Sequence, residues 1–313
     1  MLMRGSEVSK YIVTAGPRSS DIDVYACAIA YAELLRKEGK DAQALIGKEF
    51  TASITESLRK LDVPFLTEYI ATGTESVVLV DVSDPKHIPQ QFFKSQVIEV
   101  FDHRPMFINE WVSSPKLSVK IEQVGACATL IWEEVEKRGF AENISSESAL
   151  LLLAAIVSNN LAMKSPLLTQ RDRSAFETLK EKASISTTWV AEYFTEQEEH
   201  LYANLTTLVK ADTKVTDSPI GPLVIGQIEL WNASRLVAEM QQDLLACMNS
   251  VARNGRWFIN IVSISEGVNY IFTPDEKTKK LLQENLSLQF RDNVAKTGTL
   301  LMRKQIMNKL TII

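Results

Sequence analysis

Apolar runs that stop at polar ends dominate the first half of the chain. Residues 11–15 (YIVTA), 41–47 (DAQALIG), 76–82 (SVVLVDV), 97–101 (VIEVF) and 117–124 read as β-strands. The run 76–82 is almost uninterrupted, as expected of a central parallel strand buried on both faces. Helical patterns fall between and after them: from Asp21 to Lys37, then 51–61, 125–137, 145–163 and 169–182. The first carries Ala26, Ala28, Ala30 and Ala32, which permit close packing on a sheet, and Gly39 suits its end. This alternation predicts an α/β fold, a three-layer domain with a mostly parallel sheet.

The pattern loosens over the Ser/Thr-rich stretch 182–188 (KASISTT), the expected linker, dividing the chain into domains 1–184 and 185–313. Beyond it lie a helix around 191–208, a strand at 223–229, a helix near 236–249, strands at 257–263 and 270–272, and a basic end, 301–310. These predict a smaller α+β domain.

Composition adds limits. The chain has 313 residues, 45% hydrophobic and 23% charged, with net charge −5 and no block of like charges. That argues for a sizeable core and against a nucleic-acid surface, so an anionic ligand needs a local basic pocket. The longest apolar run, 149–157, is too short to span a membrane, and the first ten residues lack an apolar signal core. Cys27, Cys127 and Cys247 are widely spaced among helix-like apolar residues. They read as buried hydrophobes in a reducing compartment, with the cytoplasm expected.

Chemistry gathers at strand ends. Asp21 and Asp23 follow the first strand, Asp81 closes the third, and Asp102-His103-Arg104 closes the fourth. A parallel sheet brings these ends to one edge, where open α/β sheets place their sites. Several carboxylates crowded there need a compensating cation, and carboxylates with an imidazole suit Mn, Mg or Co. Asp21 also fits the blander role of capping the helix that follows.

In this order and spacing, Asp21-x-Asp23, Asp81, Asp102-His103-Arg104 and Gly125-Ala126-Cys127-Ala128-Thr129 resemble the DHH phosphoesterase superfamily. Met163-Lys164-Ser165-Pro166 with Thr169 and Asp172, Asp212-Thr213-Lys214 with Ile225-Gly226-Gln227, and Arg303-Lys304-Gln305-Ile306 resemble segments of manganese-dependent (family II) inorganic pyrophosphatases and exopolyphosphatases. The Asp-His-Arg tripeptide is most similar to the prune-like branch. The resemblance implies a DHH domain followed by a DHHA2 domain, with the site in the cleft between them. It implies a two-metal hydrolase of phosphoanhydrides acting on a small phosphorylated substrate, pyrophosphate or short polyphosphate, through metal-activated water. Asp81 would bridge the metals, Asp21 would serve one of them, and Asp23 and His103 the other. Asp81, His103 and Arg104 would form the catalytic group, and Arg104, Lys214, Arg303 and Lys304 would contact phosphate. Homodimerisation is compatible with the family.

The chain departs from that pattern at three places. Pro17 stands where a metal-binding histidine is usual, Asn159 where an aspartate is usual, and Met302 where an arginine is usual. Asn159 can ligate only weakly, through a neutral oxygen. Two readings follow: a metal-dependent phosphoanhydride hydrolase with weakened metal affinity, or a degenerate relative that binds a phosphorylated ligand or protein partner without turnover. A nucleic-acid phosphodiesterase fits less well, because no basic, aromatic-interleaved surface is visible.

Overall fold

The computed structural model of the chain describes residues 10–16, 20–112, 117–252 and 255–310. It divides into two compact units, Met1–Trp189 and Val190–Ile313.

The first unit contains β1 (Tyr11–Thr14), α1 (Ile22–Lys37), β2 (Ala42–Leu45), α2 (Glu56–Arg59), β3 (Ser76–Val80), β4 (Val97–Asp102), β5 (Ser118–Ile121), α3 (Cys127–Lys137), α4 (Ser146–Asn159) and α5 (Gln170–Ala183). All five strands are parallel, in the order β2-β1-β3-β4-β5. The chain winds outward from β1 in one direction to β2 and in the other from β3 onward. The gap between the ends of β1 and β3 is therefore a topological switch point, where such sheets bind ligands.

Alternation along each strand splits the core. Ile12, Val77 and Leu79 face a layer of irregular chain that contributes Leu66, Tyr69, Phe92 and Trp111. The other face carries the helices, with α1 packed against α3 and α4. Ala26, Ala28, Ala30 and Ala32 of α1 are all fully buried, which small side chains at a crowded helix make possible. Asp21 caps α1, its Oδ1 accepting from the Val24 N–H at 3.0 Å.

Two helices are shorter than the sequence pattern predicts. The 51–61 segment is helical only over α2. Ser53 Oγ accepts from the Ile22 N–H and lies 2.8 Å from Thr51 Oγ1, and such side-chain bonds compete with helix. The 145–163 pattern ends at Asn159, because Leu161, Ala162 and Met163 all adopt left-handed φ (49°, 53° and 64°). The carbonyl of Asn160 then accepts from the N–H groups of both Lys164 and Ser165 at 2.9 Å.

The second unit contains α6 (Trp189–Ala203), α7 (Leu205–Ala211), β6 (Thr213–Thr216), β7 (Leu223–Leu230), α8 (Ser234–Glu239), α9 (Gln241–Val251), β8 (Trp257–Ser263), β9 (Val268–Phe272), α10 (Glu276–Leu286), β10 (Phe290–Arg291), β11 (Val294–Lys296) and α11 (Arg303–Leu310). Its sheet runs β10-β11-β9-β8-β7-β6, with only β7 and β8 parallel. Val224 and Ile228 of β7 join the core under α7–α9, while Leu223 and Ile225 join that under α10 and α11. The expected helices 191–208 and 236–249 are each two, broken at Asn204 and Met240. Among the described residues no helix is long and apolar enough to cross a membrane.

Candidate metal centre

Asp81 sits one residue past β3, buried, with φ of +53°. Aspartate tolerates this left-handed geometry better than most residues. Its N–H donates to Cys127 Sγ at 3.3 Å. Asp23, in the first turn of α1, is also buried and reaches the buried N–H groups at the start of α3. Its Oδ2 accepts from Cys127 N and its Oδ1 from Ala128 N, both at 2.8 Å. The α3 N-cap, Ala126, has no capping side chain, so Asp23 caps that helix from a different one.

His103 follows β4. Its Nδ1 lies 3.2 Å from the Val124 carbonyl and its Nε2 lies 3.5 Å from Asp81 Oδ1. A backbone carbonyl on Nδ1 fixes the proton there and turns the Nε2 lone pair toward the carboxylates, the arrangement of metal-ligating histidines. Ligand atoms of Asp23, Asp81 and His103 lie within 4.8 Å of one another. Two carboxylates and an imidazole suit a divalent ion such as manganese. Burial pushes the Cys27 and Cys127 thiols up, Cys127 to about 11, and both serve here as hydrogen-bond partners, Cys27 of the Asp23 carboxylate and Cys127 of the Asp81 N–H.

The site is short of positive charge. Burial raises the Asp81 carboxyl well above the ordinary range, Asp23 and Asp21 raise it further, and Arg104 only partly opposes them. Asp23 is raised chiefly by burial, against His103 and the α3 N–H groups. A bound dication would relieve both.

The other predicted residues fall as follows. Asp21 caps α1 and, with Asp81, Asp102 and Arg104, lines a cavity of about 380 Å³ at the switch point. Asp102 is buried and accepts from Ser83 Oγ at 2.6 Å and from the Arg104 backbone N–H and Nε. Arg104 also donates through Nη2 to the Asp81 carbonyl at 2.6 Å and to Asp81 Oδ1 at 3.0 Å. The Asn159 amide nitrogen donates to Asp23 Oδ2 at 2.5 Å, so the amide reaches the centre with its donor rather than its oxygen. Pro17 lies outside the described residues.

Asp172 and Thr169 of the 163–172 motif are structural. The fully buried Asp172 carboxylate accepts from Gly125 N, Thr129 Oγ1 and Thr169, holding the start of α3 beneath the site. Gly125 is required there, because a Cβ would lie 2.1 Å from Asn160 Oδ1.

In the second unit, Lys214 and Lys304 are exposed. The Arg303 guanidinium is largely buried and held by the carbonyl and Oδ1 of Asp212 at 2.7 and 2.6 Å. Gln227 Oε1 accepts from the Arg303 N–H and from Asn260, so its motif position also serves to fix the start of α11.

Three residues escaped the sequence reading. His87, six positions after Asp81, lines the cavity. Its scarcity and closeness to an acidic strand end were the available signal. Cys27 and Cys127 are more than apolar filler, since Cys27 Sγ donates to Asp23 Oδ1 and Cys127 Sγ accepts from Asp81 N. Nothing in their spacing could show that.

Comparison with known proteins bears on the same residues. Residues 11–156 match the DHH family, N-terminal domain. Over this segment the chain is similar to that family. A candidate manganese-dependent inorganic pyrophosphatase of Bacillus licheniformis is 33% identical over 177 residues, which are 56% of this chain and 55% of that protein. Over such relatives the match thus spans about half of their length. A second such candidate, of Lactobacillus delbrueckii, is 24% identical over 95% of this chain and 96% of its own. A candidate family II inorganic pyrophosphatase of Methanococcus jannaschii shares the fold, with a TM-score of 0.64 at 21% identity, covering 96% of this chain and 98% of its own.

Proposed function

We propose that the protein is a metal-dependent hydrolase of phosphoanhydride bonds, acting on pyrophosphate or short polyphosphate in the cytoplasm. The observation that carries this is the convergence of Asp23, Asp81 and His103 at the switch point of the DHH domain, beside a cavity lined by Arg104. Their relatives' names supply the substrate class. Asp23, Asp81 and His103 would hold the ion, with Asp21 and the Asn159 amide at its margin. A divalent ion there supplies Lewis acidity toward phosphoryl oxygen and lowers the pKa of water. Arg104 offers a permanently charged guanidinium to phosphate through Nη1, its Nε being held by Asp102 and its Nη2 by Asp81. We assign phosphate contact also to Lys214 and Lys304. Arg303 belongs with them by motif, although its bonds to Asp212 fit it better to positioning α11. The second unit is read as a DHHA2 domain.

A second reading has one observation in its favour. The Asn159 amide and the Arg104 guanidinium already neutralise or occupy oxygens of Asp23 and Asp81, as in a site that binds phosphate without turnover. Phosphate release from pyrophosphate and tripolyphosphate, measured with Mn, Mg and Co, separates the two. The hydrolase reading expects release with at least one metal and a loss of about a thousandfold in Asp81→Asn. Binding of pyrophosphate without release under every metal supports the second reading.

A further inference from the structure

Arg104 and the triad meet at a single oxygen. Asp81 Oδ1 has His103 Nε2 at 3.5 Å and Arg104 Nη2 at 3.0 Å. The guanidinium is held from behind, since Arg104 N and Nε both donate to Asp102 Oδ1, whose other oxygen accepts from Ser83. It is a built part of the centre and not a side chain lying over it by chance.

The remaining donors can be counted. A carboxylate offers about four lone-pair sites. Those of Asp23 receive Cys27 Sγ and Ala128 N on one oxygen, and Cys127 N and Asn159 Nδ2 on the other. Only Asn159 among these is an exposed side chain that can rotate away. One ion can therefore enter on the side of Asp23 and His103. On the opposite side, Asp102 is consumed by Ser83 and Arg104, and one oxygen of Asp21 caps α1. Asp21, the second oxygen of Asp81 and His87 remain on that side, but among the described residues the one group of three converging ligands is Asp23, Asp81 and His103. A second dication would also lie beside the Arg104 guanidinium, and Coulomb repulsion at that range lowers affinity by orders of magnitude.

We infer that the centre holds one divalent ion, at Asp23, Asp81 and His103, and that the Arg104 guanidinium is the fixed second positive charge of the site. This rests on the metal-dependent reading above. It departs from the two-metal arrangement that the motif resemblance implies, and it gives Asp102 a purpose, the anchoring of that charge.

The test is a Mn titration of the full chain, stripped with chelator and free of phosphate, followed by calorimetry and by electron paramagnetic resonance. The expected result is one Mn per chain with the hyperfine spectrum of an isolated ion. Arg104→Gln removes the charge and should bind the first Mn about tenfold more tightly and admit a second. Arg104→Lys keeps the charge and should remain at one. Two Mn per wild-type chain, or an exchange-coupled spectrum, overturns the inference while leaving metal-dependent hydrolysis intact. Arg104→Gln that stays at one Mn with unchanged affinity overturns the role of Arg104. Absence of Mn binding at millimolar metal overturns both the inference and the reading beneath it. If Arg104→Gln does not fold, the wild-type stoichiometry and spectrum decide alone.

Discussion

Two clusters of the first unit, in each of which an arginine meets several carboxylates, behave in opposite ways. At the end of α3, Arg138 donates Nε to Glu134 at 2.8 Å, Nη1 to Glu38 at 3.3 Å and Nη2 to Glu99 at 3.1 Å, and Nη2 also reaches Tyr31 Oη. Lys40 and Lys137 pair with Glu38 and Glu134. Burial alone would raise Glu38 and Glu134, but hydrogen bonds and charge from these cations outweigh it and hold both below the ordinary range. At the switch point, Arg104 faces Asp21, Asp23, Asp81 and Asp102 with no lysine in support among the cavity residues, and Asp23 and Asp81 are raised. Acidic clustering is common to both. The direction in which the acids shift separates an ion network complete in itself from a centre that needs a cation from outside.

That contrast breaks most readily at Arg138. Arg138→Ala leaves Glu38, Glu99 and Glu134 without their shared partner, and we expect about 3 kcal/mol of destabilisation in urea unfolding. Mn affinity should not change. A large change in Mn affinity with little loss of stability would show that the two clusters are one electrostatic system.

A smaller effect sharpens the comparison through pH. In the chelated protein, Asp23 and Asp81 have folded-state pKa values above their ordinary 3.8. An acid shifted upward contributes stability below its unfolded pKa and loses it as pH rises through the folded value. Glu38 and Glu134, shifted below 4.5, contribute above that pH and lose it as pH falls through their folded values. The chelated protein should therefore lose stability as pH rises from below 3.8 through the folded-state values of these two acids. Saturating Mn or Asp81→Asn should flatten that slope. Arg138→Ala should leave it in place and remove the acid-side one. A slope in chelated protein that survives Asp81→Asn unchanged would detach it from the metal centre.

Much of this was legible because strand ends are local features. Apolar runs ending at Asp81 and at Asp102-His103-Arg104 mark both the strands and the edge they share, and the parallel topology brings them together. What stayed hidden depends on distant partners. The early end of α4 lies in three apolar residues, Leu161–Met163, whose left-handed turn no periodicity distinguishes from helix. The charge-rich α10 is different: it buries Thr278, Leu281 and Leu282 on one face, so its signal was present in the sequence. Arg303 is tied to Asp212, 91 positions away, and Cys127 supports Asp81 from 46 positions away. Asp102 reads as a strand-end acid like the others, and only its bonds to Ser83 and Arg104 show that it anchors a cation instead of awaiting one.

The smallest predicted effect lies at Asn159, and it tests how the centre is tuned. The amide donates to Asp23 Oδ2 from an exposed position at the last residue of α4, so the side chain can reorient without disturbing the core. In the present arrangement it satisfies one oxygen of Asp23 and competes with an entering ion for it. Asn159→Asp exchanges that donor for a carboxylate. In the chelated protein this adds a fourth negative group beside Asp21, Asp23 and Asp81, and should cost about 1 kcal/mol of stability at neutral pH. With Mn present the sign reverses, because the new carboxylate is a charged ligand and the competing donor is gone, and Mn affinity should rise about tenfold. The stoichiometry should remain at one, since the substitution lies on the Asp23 side and leaves Arg104 on Asp81 untouched. Arg104 and Asn159 then act on the two sides of the centre independently: the first limits how many ions it holds, the second how tightly it holds the one. Calorimetry of Asn159→Asp with one Mn bound more tightly supports this division, and a second Mn appearing in that variant would show that the amide, rather than the guanidinium, had been limiting the count.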